Sequence, residues 1–453
     1  MMKNSLIVFL AALSTLAFGQ QPVDSRAQEI VLLMVDVIPM DIERVLADQT
    51  VIIRDNKIVA MGSKLKYNKS AHVVNANGKY LIPGLAEMHA HVPPNDDLES
   101  MKEVLRLFAL NGITTIRGML GHPKHLELRE MINKGEVLGP RLFTTGPSFN
   151  GSSVKTAADA EKMVREQKAA GYDFLKLHPG LTMETFPAIV STAKSVGIPF
   201  VGHVSFKVGI WRAIDADYSS IDHLDGFIEG MVPGIENMSE QETGLFAMYI
   251  ADRADESQVP KLMKGLKDHH IWIVPTQSLA ERWFAPDFTS ETFLNDRATK
   301  YMNKTTVDQW VENKRNLIAN AQYVPAKIES LKNLRRRLIK ACQDNGIGLL
   351  LGSDAPQVFN VPGFSTHSEL QYMVAAGLTP YQALKAGTVN VAAYLKMKDA
   401  GVIKEGAVAD LVLLGGNPLA NINETQKVEG VMLNGKWLSK EYIDAELKKL
   451  EKY

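Results

Sequence analysis

The middle of the chain alternates apolar strand-like runs with amphipathic helical patterns, and this alternation limits the fold more than any other feature. Candidate strands occupy residues 81–85, 114–117, 141–145, 174–177, 199–204, 220–224, 271–275 and 348–353. Helical patterns lie at 98–111, 124–134, 157–171, 183–197, 208–214, 240–250, 257–269 and 380–396. Eight strands alternating with helices predict an α/β fold, a (β/α)8 TIM barrel of residues 83–397.

A doubly wound open sheet is the alternative fold for this alternation. Such sheets bind nucleotides through a glycine-rich turn after the first strand. The sequence has no G-x-G-x-x-G at that point and no P-loop motif anywhere, so the barrel is preferred. Residues 281–323 form an insertion before the last strand that would emerge at the C-terminal rim. It is expected either to cover a site there or to be a simple helical excursion.

Two β-rich regions flank the predicted barrel. Short β-branched or apolar runs lie at residues 29–35, 50–54, 57–61, 73–75, 79–82, 409–414 and 428–433. Asp55-Asn56 and Asn434-Gly435 are typical hairpin turns. We therefore expect antiparallel strands from both chain ends, residues 20–82 and 398–437, to form one composite β-sandwich. A C-terminal helix is expected within residues 438–453.

The first 19 residues have the pattern of a cleavable secretory signal. Lys3 precedes a mostly apolar run of about 13 residues, and Ala17 and Gly19 provide small residues before the cleavage point. The run is too short to span a bilayer, and no other membrane span is expected. The single cysteine, Cys342, excludes an internal disulfide. We expect a soluble protein that is secreted or periplasmic.

The net charge of −1 gives no electrostatic reason to expect a nucleic acid partner or an anionic membrane surface. The length of 453 residues is enough for a large core and two to three domains. The composition leaves open whether the chain forms a homo-oligomer.

Polar side chains stand at the ends of five predicted strands. The six residues are His89 and His91 after the first strand, Lys176 in the fourth, His203 in the fifth, His223 in the sixth and Asp354 after the eighth. Active sites of such barrels lie at these strand ends. Because alternate residues of a strand project to the same side, His89 and His91 converge. Four imidazoles and one carboxylate are a ligand set for one or two divalent metal ions, with Zn²⁺ as the expected ion.

Lys176 has two interpretations. An apolar barrel interior lowers the pKa of a lysine and favours the neutral amine. A neutral amine can take up CO2 to give a carbamate whose two oxygens bridge two metal ions. Alternatively, Lys176 is a plain cation that holds a substrate carboxylate. The bridging carbamate is the preferred interpretation.

Five segments in this order resemble the amidohydrolase superfamily: PGLAEMHAH, DFLKLH, VGHV, SIDHLDG and LGSDAP. The sequence is most similar to the imidazolonepropionase-like branch, which includes dipeptidases for Xaa-Pro and Xaa-Arg substrates. The likeness covers essentially the whole mature chain. It implies that His89, His91 and Asp354 bind a first metal, that His203 and His223 bind a second, and that carboxylated Lys176 joins the two.

Two positions depart from the pattern of this superfamily. Glu87 stands where an aspartate usually precedes the first histidine, and Arg117 is followed by Gly118 where Arg-Asp is common. Neither position is a metal ligand. The departures therefore bear on the residues that support the site rather than on the ligands themselves.

The expected reaction is hydrolysis of a C–N bond in a dipeptide or an N-acyl amino acid. Asp354 is expected to accept a proton from the attacking water and pass it to the leaving nitrogen. His178 shares the face of Lys176 and is expected to contact the substrate or its oxyanion. Arg117 and His367 are further candidates for substrate contacts, with a helix cap as the alternative for His367. Hydrolysis of a cyclic amide or an ester, or non-catalytic metal or peptide binding, remain alternative functions.

Overall fold

The computed structural model describes residues 21–453, so the predicted signal peptide of residues 1–19 lies outside the described residues. The strands are β1 (Val23–Asp24), β2 (Ile30–Val37), β3 (Leu46–Arg54), β4 (Lys57–Gly62), β5 (His72–Asn75), β6 (Tyr80–Pro83), β7 (Leu85–Ala90), β8 (Ile113–Gly118), β9 (Arg141–Thr144), β10 (Leu175–Leu177), β11 (Phe200–Gly202), β12 (Ser220–Asp222), β13 (Trp272–Val274), β14 (Leu411–Leu414), β15 (Val428–Leu433) and β16 (Lys436–Ser439).

The helices, again within residues 21–453, connect these strands in chain order. They are α1 (Leu98–Leu110), α2 (Pro123–Asn133), α3 (Ala157–Ala170), α4 (Thr185–Val196), α5 (Ile210–Asp215), α6 (Glu240–Thr243), α7 (Val259–Asp268), α8 (Ser290–Leu294), α9 (Lys304–Ala319), α10 (Pro325–Asp344), α11 (Phe364–Ala375), α12 (Pro380–Ala386), α13 (Val389–Tyr394) and α14 (Lys440–Leu450). Across the described part of the chain, none of them combines the length and the apolar character needed to cross a bilayer.

The strands from the two chain ends form one nine-stranded sheet, in which β14 joins β15 to β6 and β5 pairs beside β2. The antiparallel pairing of β6 with β14, for example Leu81 with Leu413, connects the N-terminal and C-terminal strands. Leu81, Leu411 and Leu413 are fully buried in a core shared by both ends. Residues far apart in the sequence therefore build one β-rich unit, as expected, although they form a single continuous sheet.

The prediction that the strands of this sheet all pair in antiparallel fashion is wrong at two pairings. β5 and β6 both pair with β2 in parallel, β5 beside Ile30 and β6 beside Asp36. The Asn77-Gly78 turn therefore moves the chain forward along β2 and does not reverse its direction. The hairpin turn at Asp55-Asn56 is confirmed, because both residues have positive φ, 50° and 58°, as a tight antiparallel turn requires.

The central part contains two parallel sheets, β7-β8-β9 and β10-β11-β12-β13. Single parallel bridges, such as Thr145 with Phe174, connect β9 to β10. On the other side, residues 348–355 make single bridges to β13 and to Ala90 at the end of β7. This arrangement places the carboxyl ends of the parallel strands where the predicted ligands stand.

The predicted eighth strand, residues 348–353, is extended but too irregular to form a regular strand. The amide of Leu350 donates to the Ile273 carbonyl at 2.8 Å, and the Leu351 carbonyl accepts from the Met88 amide at 2.8 Å. The segment therefore runs between β13 and β7. Glycine at 348 allows this close packing, because a Cβ there would lie only 2.2 Å from the Trp272 ring and would clash with it.

Two predicted helices are shorter than expected. The pattern over 380–396 forms α12 and α13, because β7 and the 348–352 segment take the Gly387 and Ala386 carbonyls as acceptors. The capping box of Thr379 at the start of α12 is confirmed. The pattern over 240–250 forms an α-helix only in α6, since Phe246 and Ala247 adopt positive φ, 53° and 60°.

The predicted insertion, 281–323, consists of a π-helical turn, Leu279–Phe284, followed by α8 and α9. Buried Lys314 on α9 donates to three carbonyls at the end of this turn, including that of Trp283 at 2.6 Å. The ring of Phe284 lies 5.9 Å from that of Phe246, which belongs to the 240–250 segment. The insertion is thus a packed part of the core.

Candidate metal centre

The six predicted ligands lie near the carboxyl ends of parallel strands. They are His89 in β7, His91 after β7, Lys176 in β10, His203 after β11, His223 after β12 and Asp354 after the extended residues 348–352. β10, β11 and β12 are paired in parallel register, so their carboxyl ends meet at one edge. The side chains that follow these strands are thereby brought to one place.

His89, His91 and Asp354 form a group that could hold one metal ion. One nitrogen or oxygen atom from each residue lies within 4.8 Å of the others. Nε2 of His91 is 2.7 Å from Oδ1 of Asp354, and Nε2 of His89 is 3.6 Å from the same oxygen. These are the three residues that the sequence resemblance assigns to the first metal.

His203 and His223 extend this group on the other side of His89. The ring centroid of His223 is 4.4 Å from that of His89 and 4.5 Å from that of His203. Nδ1 of His223 lies 3.9 Å from Oδ2 of Asp354, and Nζ of Lys176 lies 3.4 Å from Nε2 of His89. The structure therefore brings all six predicted side chains together.

Three buried atoms in the cluster lack a hydrogen-bond partner. Among residues 21–453, Oδ1 of Asp354, Nε2 of His223 and Nδ1 of His89 make no hydrogen bond, although His91 is close to the first and Asp222 to the third. An unpaired buried polar atom costs about 1–3 kcal/mol, so such atoms are normally satisfied. A cation would satisfy Oδ1 of Asp354 and Nε2 of His223, and imidazole and carboxylate are common zinc ligands. The residues present fit a divalent metal ion.

Burial keeps the imidazoles of His89, His203 and His223 neutral. Loss of solvent lowers the pKa of His89 and His223 well below the ordinary histidine value, and burial lowers the pKa of His203 to about 3. Burial also lowers the pKa of Lys176 to about 8. A neutral imidazole can donate its lone pair to a metal ion, and part of the Lys176 population is an uncharged amine near neutral pH.

Each of three histidines has a polar neighbour at its other ring nitrogen. Oδ2 of Asp222 lies 2.8 Å from Nδ1 of His89. Nδ1 of His203 pairs with Oδ2 of Asp225 at 2.9 Å, and Nδ1 of His223 pairs with the Thr276 hydroxyl at 2.8 Å. Hydrogen-bonded partners such as those of His203 and His223 fix the ring orientation and direct Nε2 at a metal.

Sequence reasoning missed these three partners. Two carboxylates were visible in the sequence, since Asp222 directly precedes His223 and Asp225 follows it by two residues. The segment SIDHLDG therefore carries one predicted ligand and two orienting residues. Nothing in the sequence indicated which histidine each aspartate would contact.

The predicted substrate contact of Arg117 is wrong. Its guanidinium is fully buried and donates to the Met88 carbonyl at 2.8 Å, to the Ser220 hydroxyl at 2.9 Å and to Asp222 at 3.1 Å. It also donates to the Tyr394 hydroxyl at 3.0 Å. With its donors used inside the protein, Arg117 holds Asp222 in place and is not available to a substrate carboxylate.

His367 is also not a substrate contact in this structure. It is buried in α11, where Nε2 pairs with the backbone carbonyl of Asn111 at 3.0 Å. Two residues later, the carboxylate of Glu369 accepts from the Gln277 amide at 2.8 Å and from the Ser278 amide at 2.7 Å. Glu369 thereby fixes the backbone that follows β13, next to Thr276.

Glu87, the departure from aspartate before the first histidine, supports the loop that carries Asp354. Its carboxylate accepts from the Ser353 amide at 2.6 Å and from the Ser353 hydroxyl at 2.8 Å. The Thr366 hydroxyl donates to it at 2.7 Å. Because Ser353 directly precedes Asp354, the longer glutamate side chain connects β7 to that ligand.

His178 borders the cluster. Its ring centroid is 5.0 Å from that of His203, and its side chain is half-buried. Burial lowers its pKa to about 2, so the ring is neutral at physiological pH. A neutral ring at this position can offer an N–H to a bound substrate, which agrees with the expected role.

Phe246 and Arg335 cover the second pair of histidines. The Phe246 ring lies 5.1 Å from His223 and is parallel to His203 at 6.1 Å. Arg335, which is fully buried on α10, donates to the His223 carbonyl and, at 2.6 Å, to the Pro275 carbonyl. Its guanidinium also lies 6.0 Å from the Phe246 ring. Sequence reasoning identified neither residue.

A cavity of about 290 Å³ reaches the cluster from outside, with His203, Asp225 and Phe246 in its wall. A second cavity of about 910 Å³ lies beside it, between the loops that follow β10, β11 and β12. The position of the smaller cavity gives a small molecule access to His203, the predicted ligand in its wall.

Known proteins are similar to this chain over most of its length. An ochratoxinase of Aspergillus niger is 23% identical over 85% of this chain and 81% of its own length. An imidazolonepropionase of Idiomarina loihiensis is 21% identical over 81% of this chain and 85% of its own length. A solved Xaa-Pro dipeptidase with bound methionine superposes with a TM-score of 0.65, covering 91% of this chain and all of that protein at 20% identity.

At this identity, the dipeptidase structure shows a shared fold and nothing finer. The sequence model of the amidohydrolase family matches residues 80–438, which include every predicted ligand. Enzymes of that family are metal-dependent, in agreement with the grouping of His89, His91 and Asp354. Because the match extends over well more than half of the sequence, the protein belongs to the amidohydrolase family.

Proposed function

We propose that the protein is an exported hydrolase with two metal ions that cleaves an amide bond of a dipeptide or an N-acyl amino acid. Membership of the amidohydrolase family makes it a hydrolase that acts on carbon–nitrogen bonds. The observation that carries the finer proposal is the single cluster of four imidazoles, one carboxylate and one buried lysine. His89, His91 and Asp354 would hold one ion, and His203 and His223 the other.

When bound, two such ions, with Zn²⁺ as the expected metal, would activate a water molecule and polarise the scissile carbonyl. Asp354 is suited to the proton transfer because its two oxygens face His91 and His223. It would accept a proton from the attacking water and pass it to the leaving nitrogen. The neutral ring of His178 would donate a hydrogen bond to the carbonyl oxygen as negative charge develops there.

Lys176 is proposed to join the two ions as a carbamate. Its neutral Nζ attacks CO2, a new N–C bond forms and one proton is released. The support is its full burial and its position 3.4 Å from His89, where a permanent ammonium would oppose metal binding. Native mass spectrometry should show a CO2 adduct on Lys176 in the active protein. An active protein with a bare amine would contradict the bridge.

Two further proposals concern architecture and location. We propose that β7 to β13 and residues 348–352 close into a (β/α)8 barrel, supported by the hydrogen bonds of residues 350 and 351 to both neighbouring strands. The sequence of residues 1–19 supports export. N-terminal sequencing of the secreted or periplasmic protein should begin at Gln20, and a retained Met1 would contradict export.

The function is tested with the zinc-loaded protein and a panel of dipeptides, N-acyl amino acids, cyclic amides and esters. We expect hydrolysis of at least one dipeptide or N-acyl amino acid, and loss of that activity after chelation. Turnover of cyclic amides or esters alone would contradict the proposed substrate class and would show that the protein hydrolyses those compounds instead. Two bound zinc ions without any turnover would indicate a binding protein.

A further inference from the structure

The two cavities beside the metal centre share one wall. Phe206, Gly209, Glu229, Glu240 and Gln241 line both, so the inner cavity near His203 and the outer one meet at these five residues. We call these five shared residues the neck. A molecule held at the cluster can therefore extend through the neck into the larger space without leaving the protein.

The outer cavity is mainly apolar. Leu181, Val208 and Ile210 are buried in its wall, and Trp211 and Met238 are half-buried there. Exposed apolar side chains also border the two cavities, Met183 at 48% exposure on the outer one and Leu245 at 42% on the inner one. Apolar surface of this kind, gathered around a concave opening, is typical of a ligand site.

The sizes of the cavities differ in a way that matters for the substrate. The inner volume of about 290 Å³ is at the small end for a ligand pocket, whereas the outer volume of about 910 Å³ is near the large end. A small dipeptide would occupy the inner cavity and leave the outer one unused. The outer cavity is large enough for a long alkyl or aromatic group.

The charges decide which part of the substrate passes through the neck. Glu229 and Glu240 are the carboxyl groups of the neck, and burial raises the pKa of Glu229 to about 8. Lys207 and Arg212 line only the outer cavity. The neck therefore offers no positive charge to the free carboxylate of an N-acyl amino acid, and an unpaired carboxylate would be costly to bury there. The uncharged acyl chain is the part that fits.

We infer that the joined cavities form a subsite for a long or aromatic acyl chain, so that the preferred substrates are N-acyl amino acids with bulky acyl groups. This inference rests on the proposed amide hydrolysis. It narrows the substrate class to molecules whose acyl end passes the neck while the scissile amide lies at the cluster.

The test is a series of N-acylglycines from acetyl to decanoyl, measured with the zinc-loaded protein. We expect kcat/KM to rise at least tenfold along the series. Complete burial of each methylene group would raise kcat/KM up to about fourfold, so a tenfold rise requires burial of only part of the acyl chain. Binding is measured separately by calorimetry on the Asp354→Asn variant. Equal kcat/KM and equal affinity for acetylglycine and decanoylglycine would overturn the inference.

A filling variant tests the location. Met238→Trp narrows the outer cavity and should lower the ratio of decanoylglycine to acetylglycine affinity at least fivefold. Ile318→Trp is the matched control, because Ile318 is 46% exposed on α9 and lines neither cavity. A ratio unchanged by Met238→Trp, or reduced equally by Ile318→Trp, would show that the chain binds elsewhere and would overturn the inference.

The series also separates this inference from the proposed function. Equal hydrolysis of acetylglycine and decanoylglycine would leave the amide hydrolase in place and remove the acyl subsite. Tight binding of decanoylglycine, sensitive to Met238→Trp but without hydrolysis of any amide, would retain the subsite and contradict the proposed function.

Discussion

Oδ2 of Asp222 lies 2.8 Å from Nδ1 of His89, on the opposite side of the ring from the nitrogen that faces Asp354. Both residues are buried, and the guanidinium of Arg117 donates to the Asp222 carboxylate at 3.1 Å and 3.3 Å. The three side chains form a series from arginine to carboxylate to imidazole. This series places a buried carboxylate against the ring nitrogen of His89 that does not face Asp354.

The first prediction removes the charge of that carboxylate. Asp222→Asn should weaken zinc binding about 10- to 100-fold, because the orienting partner of His89 is lost while the ligand itself remains. The measurement is competition with a chelator of known affinity. Asp217→Asn is the control, since Asp217 is an exposed aspartate that pairs with Lys194. Equal zinc affinity in the two variants would show that Asp222 does not support the site.

The second prediction concerns the buried arginine that holds His223. Arg335→Met leaves the His223 and Pro275 carbonyls without their donor and should lower the free energy of unfolding by about 3 kcal/mol. It should also reduce zinc content from two ions to nearly one, because His223 loses its support. Both quantities are measured on one preparation, by denaturant unfolding and metal analysis.

Arg337→Met is the matched control for this variant. Arg337 lies two residues later on α10, but it is exposed and pairs with Glu256 on the surface. We expect little change in stability and no change in zinc content. Two zinc ions bound to Arg335→Met at the affinity of the unaltered protein would show that Arg335 does not support metal binding by His223.

The third prediction separates metal binding from proton transfer at Asp354. Asp354→Asn keeps an oxygen at the same position but removes the basic carboxylate. Zinc content should stay largely intact and turnover should fall below about one thousandth of the original rate, within the range typical of a lost general base. Retained turnover with full zinc content would exclude Asp354 as the proton carrier.

The fourth prediction uses the lowered pKa values of the buried histidines in the metal-free protein. The pKa of His203 is lowered to about 3, first by burial and next by Lys176, and those of His89 and His223 lie well below 6.5. In the unfolded chain these rings take up protons near pH 6.5. The unfolded state therefore binds more protons than the folded state between these values, and stability falls as the pH falls.

The size of this effect follows from the number of rings. Each neutral imidazole contributes up to about 1.4 kcal/mol per pH unit below 6.5. The urea midpoint of the metal-free protein should therefore decrease from pH 7 to pH 5. A constant midpoint over this range in the metal-free protein would contradict neutral buried imidazoles.

The ligand positions could be predicted because they depend on strand ends alone. Once apolar runs are recognised as parallel strands, the polar residues that follow them are expected to meet at one edge, whatever the details of packing. His203 and His223 were identifiable in this way. The Asp55-Asn56 turn and the capping box of Thr379 were predictable for a similar reason, since each depends on a few adjacent residues.

The partners of these ligands could not be predicted, because they depend on contacts between distant parts of the chain. Arg335 reaches a carbonyl 112 residues earlier, and Arg117 reaches a carboxylate 105 residues later. A charged residue near a strand end looks the same in a sequence whether it faces a substrate or a buried aspartate. Burial, which separates these cases, becomes visible only in the fold.

The helix breaks were hidden for a related reason. The 380–396 pattern is apolar and amphipathic throughout, yet the Ala386 carbonyl accepts from the Leu351 amide and the Gly387 carbonyl from the Ala86 amide, far earlier in the chain. The requirement for glycine at 387 is also tertiary, since a Cβ there would approach the Leu351 side chain to 2.7 Å. Local propensity favoured one helix, and packing against the strands divided it.

The most direct measurement is zinc content and amide hydrolysis on the same sample, before chelation, after chelation and after zinc is restored. The account predicts two zinc ions per chain with activity, none with activity lost, and both recovered together. Full hydrolysis by the zinc-free protein, or full activity with no ion at the cluster of His89, His91 and Asp354, would contradict it.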